Sequence, residues 1–335
     1  MPNENMILFD GLYIKNSFSE FAKILIMFST MFILMMMTPI ETEDKHFQFE
    51  HVIMVMLSLA GMMILVSSHS LLTLYMGLEL MSLPLYILAA SNRNNHHSTE
   101  AGMKYFILGA LASGLYLFGA SLIYGFTGEI RFDKIVAFFN AGFLVGMVFL
   151  IVAFCFKISA VPFHMWTPDV YEGSPTVVTA FLASAPKVAG MALLTWMLYA
   201  PFADLVDQWQ QIIYFVAVAS MFVGSLGAIK QTNFKRLLAY SSIGHVGFML
   251  VSLVAGDVDG IRGVVLYLII YLSMTIGMFA ILLMLNRGKR KYEKLVDFAG
   301  LSTTHPKTAF AVAVLMLSMA GIPPLAGFFA KLYVL

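Results

Sequence analysis

Long unbroken blocks of apolar residues alternate with short polar connections along the whole chain, at about 21–40, 52–68, 71–90, 102–125, 141–163, 175–199, 209–229, 238–255, 262–285 and 306–335. A helix needs roughly 20 apolar residues to cross about 30 Å of hydrocarbon, and most of the blocks meet that length. Polar or turn-forming residues close them, among them Thr42-Glu43-Asp44 and Gly256-Asp257. A transmembrane barrel would show short segments of alternating polarity instead. The pattern therefore predicts an all-α membrane protein of about ten transmembrane helices.

Two blocks are interrupted. Pro162 lies within the block that begins at 141 and is followed by Trp166-Thr167-Pro168, while Gly321-Ile322-Pro323-Pro324 sits in the middle of the last block. Proline removes a backbone donor and collides with the preceding turn, so both helices are predicted to break. In a bilayer the freed backbone groups need protein or water beside them, so each break is either a packing kink or the edge of a hydrated path. Ser159-Ala160-Val161-Pro162-Phe163 echoes Ala320-Gly321-Ile322-Pro323-Pro324, and each lies in the fourth span of a five-span set. An odd number of spans turns the second set upside down relative to the first, the inverted-repeat plan of many transporters. The expected organisation is an extramembrane segment over 1–20, a leading helix and loop over 21–50, a first five-helix repeat over 51–208, and a second repeat over 209–335 that is incomplete at its C-terminus.

Composition agrees with this class. Hydrophobic residues make up 60% and charged residues 12% of the chain, with mean hydropathy +0.84, against about half and a quarter in soluble domains. The placement of charge says more than its net value of +1. If the spans alternate, the loops around 45, 93, 230–236 and 287–307 share a face and hold eleven of the twenty lysines and arginines. Lys15, Lys23, Arg131, Lys134 and Arg262 fall on the other. The positive-inside rule then puts Arg287-Gly288-Lys289-Arg290-Lys291 in the cytoplasm or matrix and the N-terminus on the periplasmic or intermembrane side. No stretch offers a basic nucleic-acid face, so no nucleic-acid partner is expected. The single cysteine, Cys155, lies in an apolar run and suits packing, which rules out a disulfide framework or a Cys-ligated iron–sulfur cluster within the chain. No strand is followed by a Gly-x-Gly-x-x-Gly turn, so no cofactor is expected on this chain. Residues 1–20 do not read as a signal peptide.

Four lysines, Lys104, Lys157, Lys187 and Lys331, fall inside spans, and Glu79 is the acidic residue near the centre of one. Each such charge costs roughly 2.5–3.5 kcal/mol at a helix centre. Desolvation favours the neutral amine and a nearby carboxylate favours the ammonium. A Glu–Lys pair that approaches and separates is therefore a proton switch, and lysines spaced along hydrated half-channels can hand the proton on. A static ion pair that only fixes packing is the alternative for Glu79 with Lys157, and a snorkelling side chain four residues after Glu100 is the alternative for Lys104. His164, two residues past the first break, and His245, inside a span, suit either a relay or packing. His96-His97 would point apart on a helix and makes a poor metal site. Gly142-x-x-x-Gly146 and the Gly109, Gly114, Gly119 series read as helix-packing surfaces.

The stretch from Phe156 through Lys157, Pro162, His164 and Trp166 to Tyr171 resembles the signature of the antiporter-like membrane subunits of respiratory complex I. So do the stretch from Lys235 through Ser242 to His245, and Gly321-Ile322-Pro323-Pro324 leading to Lys331. Gly77-Leu78-Glu79-Leu80, Lys104-Tyr105 and Ala185-Pro186-Lys187 are most similar to the subunit N branch, whose mitochondrial counterpart is NADH dehydrogenase subunit 2. The resemblance covers nearly the whole chain. It implies a proton channel in which Glu79 matches a fifth-helix glutamate, Lys157 a seventh-helix lysine and Lys104 the sixth-helix lysine that tunes them. Lys187 matches a central eighth-helix lysine, Lys331 the twelfth-helix lysine of a second half-channel, and His164 a histidine beside the seventh-helix break.

The resemblance also implies partners: the other membrane subunits of complex I, the lipid bilayer, and NADH and quinone bound by other subunits. It places the chain in a bacterial inner membrane or a mitochondrial inner membrane. The family usually has fourteen helices and this chain corresponds to helices three to twelve, so a fragment or split gene product is expected. The expected function is proton translocation within an NADH–quinone oxidoreductase, with no redox chemistry on this chain. A subunit of a multi-subunit cation/proton antiporter and a non-pumping structural membrane subunit are the other readings.

Overall fold

The computed structural model describes residues 6–37, 49–135, 140–286 and 292–335. The chain opens with a hairpin of β1 (Met6–Leu8) and β2 (Tyr13–Lys15), with Ile7 opposite Ile14. Helices follow in the order α1 (Ser17–Met36), α2 (Phe49–Leu65), α3 (Leu71–Ala89), α4 (His96–Thr127), the short α5 (Phe132–Ile135) and α6 (Ala141–Ile158). Next come α7 (Trp166–Gly173), α8 (Thr176–Ala183), α9 (Ala185–Tyr199), α10 (Val206–Ile229), α11 (Phe234–Val254) and α12 (Val258–Leu285). The short α13 (Leu301–Thr304), α14 (Pro306–Ala320) and α15 (Ala326–Val334) complete the order. The predicted loop at Thr42-Glu43-Asp44 and the basic run Arg287–Lys291 lie outside the described residues.

Among the described residues, eight spans are long and apolar enough to cross a membrane, and α2 and α14 are shorter apolar helices. Their limits follow local chemistry. Asn16, Ser70, Asn140, Asn233 and Asp257 each accept a hydrogen bond from a first-turn backbone N–H, at 2.7 to 3.2 Å, which satisfies one of the donors a helix start leaves unpaired. The cap at Asn16 starts α1 at Ser17, so the helix begins inside the segment expected to be extramembrane. The hairpin ahead of it departs from the all-helical expectation. It borrows bonds from the turn after α2, with Ile14 N–H donating to Ser67 O at 2.8 Å and His69 N–H to Leu12 O at 3.0 Å.

Both predicted breaks are present, and the structure adds a third. At the first, Ser159 takes a left-handed conformation (φ 64) and Ala160 N–H bonds back to Cys155 O at 2.8 Å. At the second, Gly321 (φ 86) does the same and Ile322 N–H bonds back to Leu317 O at 3.1 Å. This shared cap pairs Ser159 with Gly321 and Pro162 with Pro324, one residue away from the register the sequence echo suggests. The third break, at Ser184 (φ −114, ψ −93), divides the block over 175–199 into α8 and α9. Pro186 sits in the first turn of the new helix, where proline is readily accommodated.

Matching backbone bonds show the repeat. Leu71 N–H bonds to Ile130 O at 2.9 Å and Phe132 N–H to His69 O at 3.1 Å. Phe234 N–H bonds to Glu293 O at 2.8 Å and Leu295 N–H to Thr232 O at 2.9 Å, the same pattern displaced by a constant shift along the chain. The isolated bridges Ser70–Arg131 and Asn233–Lys294 keep that shift. Helices α3 and α4 thus correspond to α11 and α12, and α6–α7 to α14–α15. The apolar window within Thr176–Tyr199 is 100% buried, whereas those of α4 and α10 are 28% buried. The pair α8–α9 is therefore the interior of the molecule. Of the glycines noted as packing surfaces, Gly119 and Gly146 do bring α4 and α6 together, while Gly114 faces open space.

Candidate functional site

The first group of buried polar residues lies between α3, α4 and α6. Glu79, half-buried on α3, accepts a hydrogen bond from Ser113 Oγ of α4. Lys157, in the last turn of α6 and only 7% exposed, reaches α3 one turn farther on, where its Nζ donates to Ser82 Oγ at 2.7 Å and to Tyr86 OH at 3.4 Å. Ser82 passes its own hydrogen to Leu78 O at 2.6 Å. Glu79 and Lys157 therefore share one stretch of α3 without a direct ion pair, each held by a hydroxyl. Pro84 sits in that stretch of α3, and its missing N–H removes a helical bond one turn beyond Glu79.

A second group surrounds Lys187, which is 1% exposed. Its Nζ donates to Ser242 Oγ of α11, Ser242 Oγ and Tyr271 OH of α12 lie 2.8 Å apart, and Tyr271 OH donates to Ala183 O at 2.9 Å. The last contact follows from the third break. Lys187 and Val188 N–H both bond to Ser184 O, at 3.1 and 3.2 Å, which leaves the Ala183 carbonyl without a helical donor. Beside this row a cavity of about 10 Å³ is lined by Ser241, Ser242, His245, Tyr271, Thr275 and Met319 among others, room for about one water. His245, 4% exposed, meets Tyr267 OH through Nδ1 at 2.8 Å.

The remaining expected residues lie elsewhere. Lys104, 42% exposed, pairs with Glu100 at 2.7 Å and with Asp169 at 2.8 Å. Asp169 and Glu172, both on α7, also pair with Arg236 of α11, at 2.6 and 2.9 Å. This five-residue network ties α4, α7 and α11 together, so Lys104 stands apart from the hydroxyls that hold Glu79 and Lys157. Among the described residues its aromatic neighbour, Tyr105, joins the two regions, stacking on Trp166 at 4.4 Å and meeting Tyr86 edge-on at 4.7 Å. His164 is half-buried in the turn before α7, with its carbonyl accepting from Thr167 N–H at 3.0 Å. Lys331 spans the second break, where its Nζ donates to Ala320 O at 2.9 Å and lies 4.9 Å from the Phe248 ring centroid.

Sequence reasoning did not single out Ser113, Ser82, Ser242 or Tyr271. Neutral hydroxyls in apolar runs raise no charge signal, and Ser and Tyr are common in membrane helices. The repeat offers a way to find them. Aligned on their caps at Ser70 and Asn233, α3 and α11 place Glu79 opposite Ser242 and Ser82 opposite His245. Aligned on Asn95 and Asp257, α4 and α12 place Tyr105 opposite Tyr267 and Ser113 opposite Thr275. The same positions carry polar groups in both halves.

The family described as NADH:quinone oxidoreductase/Mrp antiporter, transmembrane, matches residues 68–335. NADH-quinone oxidoreductase subunit N of Paramagnetospirillum magneticum is 51% identical over 344 residues, covering 100% of this chain and 71% of that protein. The chain belongs to the NADH-quinone oxidoreductase subunit N family. Subunit N of Rhodospirillum rubrum is 50% identical over 339 residues, covering 99% of this chain and 70% of its own length. A chain of respiratory complex I from Thermus thermophilus, solved with bound aureothin, superposes with TM-score 0.83 at 32% identity, over 99% of this chain and 71% of that one. A chain of the Mrp complex from Dietzia sp. DQ12-45-1b superposes with TM-score 0.84 over 96% of this chain and 60% of its own, and at 23% identity it shares the fold. The family match over residues 68–335 spans both polar groups and the helices broken at Ser159 and Gly321.

Proposed function

We propose that this chain moves protons through the membrane arm of an NADH–quinone oxidoreductase. The observation that carries the reading is Lys157, buried in an apolar helix, held by hydroxyls rather than by a carboxylate, and one turn along α3 from Glu79. An ammonium fixed by a permanent ion pair would be locked, whereas one resting on Ser82 and Tyr86 can give up its proton and return. Glu79 and Lys157 act as the loading pair, Lys187 carries the proton through the interior, and Lys331 serves the second half. Lys104 modulates the pair through the α4–α7–α11 network and Tyr105, and His164 lies at the turn that leads from Lys157 to that network. NADH and quinone are handled by other subunits, and the chain packs against other membrane subunits and lipid. It lies in a bacterial or mitochondrial inner membrane with its N-terminus on the periplasmic or intermembrane side.

The test is the ratio of protons moved to electrons transferred in the assembled complex in sealed vesicles. Glu79→Gln and Lys157→Ala are expected to remove this subunit's share of pumping while the complex still assembles. A normal ratio in both variants would sink the reading.

A further inference from the structure

We infer that Tyr271 is the gate of the relay that starts at Lys187, closed in the arrangement described above and opened by rotation of its hydroxyl. The inference rests on the proposed proton-pumping role and names a further residue that performs it.

The argument is a count of hydrogens. A lysine ammonium only donates, so Ser242 Oγ is an acceptor toward Lys187. Tyrosine has one O–H, and Tyr271 spends it on Ala183 O at 2.9 Å. The 2.8 Å contact between Ser242 and Tyr271 must then carry the serine's hydrogen. Every donor points away from Lys187, the polarity a proton leaving that amine requires. Lys187 can give its proton to Ser242 Oγ as Ser242 gives its own to Tyr271 Oη. Tyr271 must release its original proton in the same event, leaving a neutral amine and two intact hydroxyls.

The row nevertheless ends in a carbonyl. A peptide oxygen accepts a hydrogen bond but cannot pass a proton on, so with Tyr271 on Ala183 the relay is a dead end. Tyr271 and His245 line one cavity, and their ring centroids are 5.6 Å apart. Turned into that cavity, the Tyr271 O–H enters a space lined by the His245 imidazole, which can accept the proton, directly or through one water, and pass it on. The break at Ser184 supplies the closed position, because it strips Ala183 of its helical donor. Closing and opening thus need a hydroxyl rotation and no helix movement.

The experiment compares four variants in the assembled complex by protons moved per electron, a ratio that cancels differences in assembly. Tyr271→Phe and Ser242→Ala are expected to lower the ratio as far as Lys187→Ala does, and Ser242→Thr, which keeps the hydroxyl, to restore it. A normal ratio in Tyr271→Phe and Ser242→Ala, with Lys187→Ala impaired, would overturn the gate and leave the pumping role intact. A normal ratio in Lys187→Ala would overturn the route itself. Should Tyr271→Phe fail to assemble, the Ser242 pair decides by the same criterion.

Discussion

The two broken helices carry the same cap and opposite charge placement. In α6–α7 the cation, Lys157, comes two residues before the left-handed residue Ser159, while in α14–α15 Lys331 comes after Gly321. Aligned on those residues, Lys157 stands opposite Met319, and Lys331 stands opposite Asp169. Lys157 therefore looks across to α3 and its hydroxyls, whereas Lys331 folds back onto the carbonyl of its own break. The repeat preserves the backbone device and lets its chemistry diverge. The break is a general way to open a helix in the membrane, and the side chains around it decide which of the freed and buried groups does work.

The largest test of that difference is functional. Lys157→Met strands Ser82 and Tyr86 and is expected to lower the proton-to-electron ratio more than Lys331→Met, whose half-buried amine serves one carbonyl. Equal losses would place the two lysines on the same footing and break the comparison. A smaller contrast separates the caps themselves. At Gly321 an added Cβ would come within 2.8 Å of Lys331 Cδ at φ 86, so Gly321→Ala should destabilise by about 1–2 kcal/mol from the left-handed backbone alone. Ser159→Gly relieves the same conformation at φ 64, and should be neutral or stabilising by up to about 1 kcal/mol. Thermal dissociation of the subunit from the purified complex reads both, and a loss in Ser159→Gly would mean the hydroxyl matters more than the backbone.

The smallest expected effect lies where the hairpin meets the turn before α3. Burial holds the His69 imidazole below its ordinary value; Asp133, 3.6 Å from Nε2, opposes this and Arg131 reinforces it. Phe132 and Trp196 supply the rings packed against it. Because the folded state keeps His69 neutral, its contribution is present at neutral pH and is lost as pH falls below about 6.5, where the unfolded chain takes up the proton. The protection factor of the Ile14 amide, which removes the intrinsic slowing of exchange at lower pH, should fall on acidification through that window, and His69→Asn should flatten the dependence.

Much of this architecture was legible because apolar length is a strong signal. The blocks found the spans to within a few residues, and Pro162 and Pro323-Pro324 marked two breaks. The third break went unseen because Pro186 sits in the first turn of α9, where proline disturbs nothing, and the interruption falls on Ser184. The charged residues announced themselves by their cost in hydrocarbon. Their partners did not, since Ser82, Ser113, Ser242 and Tyr271 become meaningful only when helix packing sets them against a lysine or glutamate. Lys104 shows the limit from the other side. Its spacing from Glu100 was plain, but Asp169 and Arg236 are far away in sequence and meet it only in the fold.

Lys157, Lys187 and Lys331 each lie near the C-terminal end of an interrupted helix. Lys157 lies in the last turn of α6, Lys331 bonds to the final carbonyl of α14, and Lys187 reaches the end of α8 through Ser242 and Tyr271. The C-terminal end of a helix carries roughly half a negative charge, built from peptide dipoles. A carboxylate counter-ion can be extinguished by the proton it attracts. A peptide dipole cannot, so the end of α14 keeps its pull on the Lys331 cation whatever the protonation of the groups around it.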